Sequence, residues 1–111
     1  MERPSEFEVQ AEAYHNLKEV YPKTRGEYQI PKDKKNGIRG ARFDIVIFDT
    51  IGDMKLIIEV KRSTWSHSVN QGNRYTNLTG VPCIYLRGMK EAKNAVKIVD
   101  TYLTENGIVI E

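Results

Sequence analysis

The sequence predicts an α/β fold in which a mixed β-sheet is flanked by helices, within one domain covering residues 1–111. Three observations favour this fold. The chain opens with an amphipathic helix pattern, continues with two strongly apolar strand patterns joined by a short turn, and closes with a strand pattern followed by a second helix pattern. A chain of 111 residues can bury one modest core, and no internal repeat divides it.

The first helix is predicted from Ser5 to about Val20. Ser5 and Glu8 have the spacing of a capping box, in which each side chain bonds to the backbone of the other residue. Pro22 disfavours a helical conformation for the residue before it and so ends the helix. The predicted inward face carries Val9, Ala13, Leu17 and Val20. Glu6 falls on the same stripe, so we expect its carboxylate to lie near the sheet.

The strand patterns occupy the middle of the chain. Gly26–Pro31 predicts a short strand, and the lysine- and glycine-rich residues 32–40 predict a loop. The strongest strand patterns are Arg42–Asp49 and Met54–Lys61, which residues 50–53 join as a turn. These two runs are apolar on both faces, so we expect both faces of the sheet to be covered.

The second half of the chain alternates helix and strand patterns. Residues 66–78 predict a helix, although Gly72 and several asparagines weaken the pattern. Val81–Leu86 predicts a strand, and Met89–Thr104 predicts one continuous helix. Ile108–Ile110 is compatible with a final edge strand. The predicted order is therefore αβββαβ followed by a helix.

Composition excludes several classes of protein. No apolar run approaches the roughly 20 residues of a membrane-spanning helix, and the N-terminus is too polar for a signal peptide. The single cysteine, Cys83, cannot form an internal disulfide and is expected to be a small buried hydrophobe. No Cys/His cluster has zinc spacing. We therefore expect a cytoplasmic protein without a membrane partner.

Charge is distributed unevenly although the net charge is only +2. Residues 22–42 carry seven basic and two acidic side chains, which is the pattern of a surface that contacts a phosphate backbone. Solvated lysines in a loop would give the same pattern. The candidates for DNA-backbone contacts are Lys34, Lys35, Arg39 and Arg42.

Two acidic residues meet across the predicted hairpin. If its turn is centred between Ile51 and Gly52, residues whose numbers sum to 103 face each other, and Asp44 lies opposite Glu59. Directly opposed Cβ atoms are about 4.5–5.5 Å apart. Side chains alternate along a strand, so Lys61 projects from the same face. A one-residue slip of the register would separate these three side chains.

This arrangement suits metal-dependent chemistry. Two adjacent carboxylates repel, so we expect one pKa to rise, and a divalent cation would remove the conflict. Mg²⁺ favours one or two carboxylates together with water and substrate oxygens. An adjacent ammonium, that of Lys61, can orient the attacking water or stabilise charge on a phosphate. The other interpretation is that both carboxylates lie at frayed strand ends and are solvated.

The residues RFD at 42–44 and EVK at 59–61 resemble the signature of the PD-(D/E)XK nucleases, although Phe43 stands where many members have proline. Gln71 and Tyr75 match the Gln-x-x-x-Tyr motif of RecB-like members. The resemblance covers roughly residues 5–86. It implies a restriction-endonuclease-like αβββαβ core and Mg²⁺-dependent cleavage of DNA, with Mn²⁺ as a substitute.

The resemblance also implies roles for individual residues. Asp44, Glu59, the carbonyl of Val60 and Glu6 would bind the metal, while Lys61 and Gln71 would complete the catalytic set and Tyr75 would lie near the DNA. For Glu6 the ordinary alternative is a favourable interaction with the helix dipole. The small size is similar to that of Holliday-junction resolvases and virus-type replication-repair nucleases. We therefore expect a substrate of DNA repair, recombination or phage or plasmid replication, and a homodimer or partner subunit for cutting both strands.

Other functions fit parts of the pattern. A nucleic-acid-binding or assembly module with the same fold and no activity would keep the basic loop but would not need Asp44, Glu59 and Lys61 together. A protein-interaction domain would show an exposed apolar patch and no metal affinity. A hydrolase of small phosphate esters would need a closed pocket, and the sequence has no glycine-rich phosphate cradle.

Overall fold

A four-stranded sheet with helices packed against it forms the framework of the protein. The computed structural model describes residues 4–35, 40–62 and 76–111. In chain order the elements are α1 (Glu6–Val20), β1 (Thr24–Ile30), β2 (Ala41–Phe48), β3 (Met54–Lys61), β4 (Cys83–Arg87), α2 (Gly88–Lys93) and α3 (Ala95–Glu105). Residues 76–79 are also helical. The predicted α/β class is therefore confirmed.

Helix α1 begins with the predicted capping box. The Glu8 N–H donates to Ser5 Oγ at 3.1 Å, and the Ser5 N–H donates to Glu8 Oε1 at 3.4 Å. Three of the predicted inward residues are fully buried, namely Val9, Ala13 and Leu17. The prediction for Val20 was wrong, since this side chain is 52% exposed at the last turn. The half-buried ring of Tyr21 packs against the core at that end of the helix instead.

The sheet is mixed, as predicted. Its strand order is β1-β2-β3-β4. Strand β2 is antiparallel to both β1 and β3, and β4 is parallel to β3. The bounds of β3 agree with the sequence prediction, and those of the other strands differ by one or two residues. Parallel pairing of β3 and β4 places the carboxyl ends of both strands side by side.

The register of the central hairpin is the predicted one. Ile45 pairs with Ile58 and Ile47 pairs with Leu56, so each pair of numbers sums to 103. The register shifts only next to the turn, where Phe48 pairs with Met54. Turn residue Asp49 accepts hydrogen bonds from the Ile51 and Asp53 N–H groups at 3.1 and 2.9 Å, which fixes the hairpin end.

Both faces of the central strands β2 and β3 carry buried side chains, as their apolar patterns predicted. The larger cluster, the helix-side core, joins the sheet to all three helices through Val9, Ala13, Leu17, Ile45, Ile47, Leu56, Ile58, Val60, Leu86, Ala92, Ala95, Val99 and Leu103. The smaller cluster, the second-face core, comprises Ala41, Phe43, Val46 and Ile57, with Cys83 packed against it. Alternate residues of β3 therefore point into different cores.

The last third of the chain departs from prediction in two places. The helix predicted over Met89–Thr104 is two helices, α2 and α3, separated at Asn94, whose φ and ψ of −101° and 17° are not helical. The edge strand predicted at Ile108–Ile110 is wrong, because these residues have no regular secondary structure. Ile108 and Ile110 instead pack against the helix-side core, and the Ile108 N–H donates to the Leu103 carbonyl at 2.9 Å.

Part of the predicted helix over residues 66–78 lies outside the described residues, which resume at 76. The same holds for residues 36–39 of the basic loop. Within the described ranges, no helix combines the length and the apolar character needed to cross a membrane.

Candidate functional site

Asp44 and Glu59 meet where the backbone ladder between β2 and β3 ends. The backbone hydrogen bonds run from Phe48 to Ile45. Beyond Ile45, the side chains of Asp44 and Glu59 accept hydrogen bonds from the backbone of the opposite strand. The Val60 N–H donates to Asp44 Oδ2 at 2.8 Å, and the Asp44 N–H donates to Glu59 Oε1 at 3.3 Å. Each carboxylate is thus anchored by the backbone of the opposite strand, which fixes the positions of both.

The Glu59 side chain lies in an environment that disfavours its charge. Glu59 is only 2% exposed, whereas Asp44 is half-buried. Burial raises the pKa of Glu59 from 4.5 to about 8, with further increases from the charge of Asp44 and from a hydrogen bond between the two side chains. The Asp44 N–H and the charge of Lys61 oppose this shift in pKa. The predicted rise in the pKa of one carboxyl is therefore confirmed.

These properties fit a divalent cation. At neutral pH a raised pKa leaves a proton on the Glu59–Asp44 pair, and a cation between the carboxylates would relieve the same repulsion. Carboxylate oxygens are the donors that Mg²⁺ favours. Over residues 4–35, 40–62 and 76–111, no group of three or more His, Cys, Asp or Glu side chains is placed to hold a metal. Two carboxylates would leave the remaining ligand positions of such an ion to water and other oxygen atoms.

Lys61 lies at the carboxyl end of β3 on the same face as Glu59. Ile57 belongs to the second-face core, and side chains alternate, so Glu59 and Lys61 follow it on that face. The charge of Lys61 lowers the pKa of Glu59, which is consistent with this proximity. Lys61, a half-buried residue, therefore projects from the same face of the sheet as Glu59.

Strand β4 adds residues that the sequence analysis did not identify. Glu59 is paired with Tyr85 and Lys61 with Arg87 in the parallel register. The Arg87 guanidinium lies over the Tyr85 ring, 4.9 Å from its centroid. The only signal in the sequence is the alternation within CIYLR. Using it requires the register between β3 and β4, which are far apart in the chain.

Cys83 confirms which face of β4 is turned toward the carboxylates. Burial raises the pKa of its thiol to about 12, and the charges of Glu59 and Asp44 add to this increase while that of Lys61 opposes it. Cys83 was predicted to be a small buried hydrophobe; it is half-buried and packs against the second-face core. A thiol with such a pKa is a poor nucleophile, so its role here is packing.

Helix α1 reaches the site through Gln10 rather than Glu6. Gln10 Nε2 donates to the Asp44 carbonyl at 3.3 Å. Glu6, predicted on the inward stripe, is instead exposed in the first turn of α1 and does not form a metal-holding group with Asp44 and Glu59. The physical reason is that α1 approaches β2 one turn after Glu6, where Gln10 lies.

Three predicted DNA-contacting residues are described, namely Lys34, Lys35 and Arg42, and they lie on the β1–β2 side of the sheet. The guanidinium of Arg42 forms an ion pair with Glu27 on β1, at 2.8 Å. Both side chains are more than half exposed, so this ion pair contributes little to stability. Lys34 and Lys35 are exposed after β1. Three further candidates lie outside the described residues, namely Arg39, Gln71 and Tyr75.

Comparison with known proteins finds no matching protein-family model, no matching curated protein and no matching solved structure. The function of the chain is therefore inferred from the geometry of this site and from the motifs that resemble the PD-(D/E)XK signature.

Proposed function

We propose that this protein is a Mg²⁺-dependent deoxyribonuclease whose catalytic residues are Asp44, Glu59 and Lys61. The observation that carries the proposal is the contact between a half-buried and a buried carboxyl across two strands, with an ammonium on the same face. Burying a carboxyl beside a second carboxyl is unfavourable unless a cation or a proton compensates. In a metal-dependent phosphodiesterase, the two carboxylates would bind the cation that compensates their charge.

The proposed metal ligands are the carboxylates of Asp44 and Glu59, with the carbonyl of Val60. Mn²⁺ is expected to substitute for Mg²⁺ because it accepts the same oxygen donors. When bound, the ion would polarise a phosphate oxygen and make a nearby water more acidic. Glu6 is left out of this ligand set because it is exposed and lies apart from the carboxylate pair.

The remaining chemistry falls to the chain's own side chains. The Lys61 ammonium would donate a hydrogen bond to the attacking water or to a phosphate oxygen, and would stabilise the negative charge that develops there. Gln10 and the Val60 N–H hold the Asp44 residue in place through its carbonyl and carboxylate. Gln71 would support the site and Tyr75 would lie near the DNA, as the resemblance implies.

We further propose that the fold is the restriction-endonuclease-like αβββαβ core. This is supported by the order of helix α1, three antiparallel strands and a fourth strand parallel to the third. Helical residues 76–79, which end three residues before β4, agree with a helix between β3 and β4. A DNA substrate from repair, recombination or replication is proposed on the family analogy and the small size of the domain.

The proposal is tested by incubating the protein with linear, circular, branched and single-stranded DNA in Mg²⁺, Mn²⁺ or EDTA. Wild type should cut at least one of these substrates only when a divalent ion is present. Asp44→Asn and Lys61→Ala should each reduce the rate by about 100-fold or more.

Matched controls come from the exposed face of α3. Asp100→Asn and Lys97→Ala make the same chemical changes away from the site and should keep the wild-type rate. The nuclease proposal fails if wild type leaves every substrate intact, or if Asp44→Asn cuts as fast as wild type.

A second candidate function is a nucleic-acid-binding module without activity. It is favoured by the lack of a third acidic side chain beside Asp44 and Glu59 within the described ranges. Such a module would bind DNA equally well with and without divalent ions. Calorimetric titration with Mn²⁺ separates the two functions, because a nuclease should bind the ion and lose affinity on Glu59→Gln, whereas the module should show no dependence on Glu59.

A further inference from the structure

We infer that Tyr85 and Arg87 form a phosphate-binding site, which holds the substrate strand at a phosphate adjacent to the one that is cleaved. This inference rests on the proposed nuclease function and extends it to the choice of substrate. It assigns a role to strand β4, which the sequence motifs leave without one. It also implies that the substrate is a polynucleotide rather than a small phosphate ester.

The register of the sheet places both residues beside the catalytic centre. Tyr85 is paired with Glu59 and Arg87 with Lys61 in adjacent parallel strands. Adjacent strands lie about 4.8 Å apart. In sheets with parallel strands, ligands commonly bind in the crevice outside the carboxyl ends of the strands. Lys61 and Arg87 are the last residues of β3 and β4, so two cationic side chains lie at this end.

The burial pattern shows that the four residues share one face. Ile84 and Leu86 of β4 contact the helix-side core, whereas Cys83 packs against the second-face core. Because side chains alternate, Tyr85 and Arg87 project from the same face as Cys83. Ile57 of β3 is in that same second-face core, so Glu59 and Lys61 project from this face as well.

The contact between Arg87 and Tyr85 suits the guanidinium for phosphate recognition. The guanidinium carbon lies 4.9 Å from the centroid of the Tyr85 ring, within the range of a cation–π contact. The N–H groups of a guanidinium lie in its own plane and point along the edge of the group rather than toward the ring. A planar guanidinium donates two parallel hydrogen bonds to a phosphate, which a lysine cannot do.

The backbone of Arg87 is also held in place. Its N–H donates to Glu91 Oε1 at 2.7 Å, where β4 passes directly into α2. The side chain therefore projects from an anchored strand end rather than from a loop. Together with Lys61, the Arg87 side chain forms a row of two cations beside the carboxylates. A DNA strand carries successive phosphates, and two of them could contact this row.

Fluorescence anisotropy with a labelled DNA oligonucleotide tests the inference, with Ca²⁺ in place of Mg²⁺ so that binding is read without turnover. Titrations over a range of salt concentrations compare wild type, Arg87→Gln, Arg87→Lys and the control Lys97→Gln. Lys97 is an exposed residue of α3, away from the site. Wild-type cleavage in Mg²⁺ and Mn²⁺ affinity are measured on the same preparations.

Arg87→Gln should weaken DNA binding by about tenfold and reduce the slope of log K against log salt by about 1. Arg87→Lys keeps the charge and should restore the slope while the affinity stays below that of wild type. If Arg87→Gln fails to fold, Arg87→Lys tests the phosphate site by itself, because its DNA affinity should be below that of wild type. Lys97→Gln should bind like wild type. Mn²⁺ affinity should be unchanged in all variants.

The outcomes separate this inference from the proposed function. If wild type cleaves DNA but Arg87→Gln binds it with unchanged affinity and salt slope, the phosphate site is overturned and the nuclease proposal stands. A loss of Mn²⁺ affinity in Arg87→Gln would also overturn the phosphate site, because Arg87 would then act through the metal centre. If wild type cleaves no DNA, the nuclease proposal and the inference fall together.

Discussion

At the scale of single residues, the protonation of Glu59 is coupled to folding. Its pKa is raised to about 8 in the folded protein from 4.5 in a solvated chain. A raised pKa means that the native state binds the proton more tightly than the unfolded state. The resulting stability is fully present below pH 4.5 and is lost as the pH rises through about 8.

We therefore expect thermal stability in EDTA to fall between pH 4.5 and 8. The midpoint of unfolding should drop by about 5–10 °C over this range. Glu59→Gln keeps a neutral side chain at every pH and should remove most of the drop. Differential scanning calorimetry of both proteins measures the effect. Glu105→Gln, at an exposed position of α3, is the control. Superimposable pH profiles for wild type and Glu59→Gln would contradict the coupling.

Divalent ions should reverse this loss of stability. Because proton and metal compete for the same carboxylates, Mg²⁺ should raise the melting temperature more at pH 8 than at pH 5. The effect should increase with Mg²⁺ concentration and should be absent in Glu59→Gln. Differential scanning fluorimetry over a Mg²⁺ series at both pH values measures it. An equal stabilisation at the two pH values would mean that the ion binds elsewhere.

Lys61 should affect catalysis without affecting metal binding. Lys61→Ala removes the ammonium that we propose stabilises charge on the phosphate, so the single-turnover rate should fall by about 100-fold or more. Mn²⁺ affinity should not fall, because removing a nearby cation does not weaken a cation site. Lys61→Arg should recover part of the rate. A rate unchanged in Lys61→Ala would exclude Lys61 from the catalytic centre.

The residues of the site differ in how far the sequence could predict them. The meeting of Asp44 and Glu59 followed from a hairpin register that is local in sequence and fixed by burial of both strands. Tyr85 and Arg87 were missed because the parallel pairing of β3 and β4 joins segments separated by residues 62–82. Gln10 was missed because its contact depends on how α1 crosses β2, which hydrophobic periodicity does not specify.

At the scale of elements, the N-terminus of α1 is a local signal with a measurable contribution. The capping box satisfies two N–H groups that would otherwise lack partners in the first turn. Ser5→Ala should lower the free energy of unfolding by about 1 kcal/mol, whereas Ser5→Asp should keep most of it. Urea denaturation measures both variants. An unchanged midpoint in Ser5→Ala would show that α1 is held by packing alone.

The break between α2 and α3 shows why hydrophobic periodicity predicted one helix. Ala92, Ala95 and Val99 all contribute to the helix-side core, so the apolar pattern continues across the break. The interruption depends on Asn94, whose side-chain amide donates to the Lys90 carbonyl at 2.9 Å. Asparagine side chains compete with the backbone for such bonds and favour helix ends. Periodicity alone does not detect this competition.

Ile108–Ile110 illustrates a second limit of local patterns. An apolar run of this length fits an edge strand or a segment that covers the core, and sequence periodicity does not separate the two. The nearby backbone bond from the Thr50 N–H to the Glu111 carbonyl, at 2.7 Å, attaches the chain end to the central hairpin. The contacts of this segment therefore depend on tertiary packing.

At the scale of the whole molecule, the protein is compact, with a radius of gyration of 13.9 Å. A folded chain of this length is expected to have a radius of gyration of about 13 Å. Across residues 4–35, 40–62 and 76–111, the nuclease that we propose has one cutting centre per chain, namely Asp44, Glu59 and Lys61. One centre can cleave one DNA strand at a time. The oligomeric state therefore determines whether both strands of a duplex are cut in a single binding event.

The course of plasmid cleavage should reveal this oligomeric state. A monomer should convert supercoiled plasmid into open circles first, and linear DNA should appear only after most of the supercoiled form is consumed. A homodimer with two aligned centres should produce linear DNA from the start. Agarose gels over time distinguish the two courses, and sedimentation velocity over a dilution series gives the mass of the active species.

We expect the monomeric course at low protein concentration, with linear DNA appearing earlier as concentration rises if two copies assemble on the duplex. Mixing wild type with Asp44→Asn provides the control. In a dimer that cuts both strands together, mixed pairs can only nick, so linear product should fall more steeply than the wild-type fraction. Monomers acting independently should show a fall in total cleavage that is proportional to the wild-type fraction. Early linear product from a species that sediments as a monomer would contradict a single cutting centre per chain.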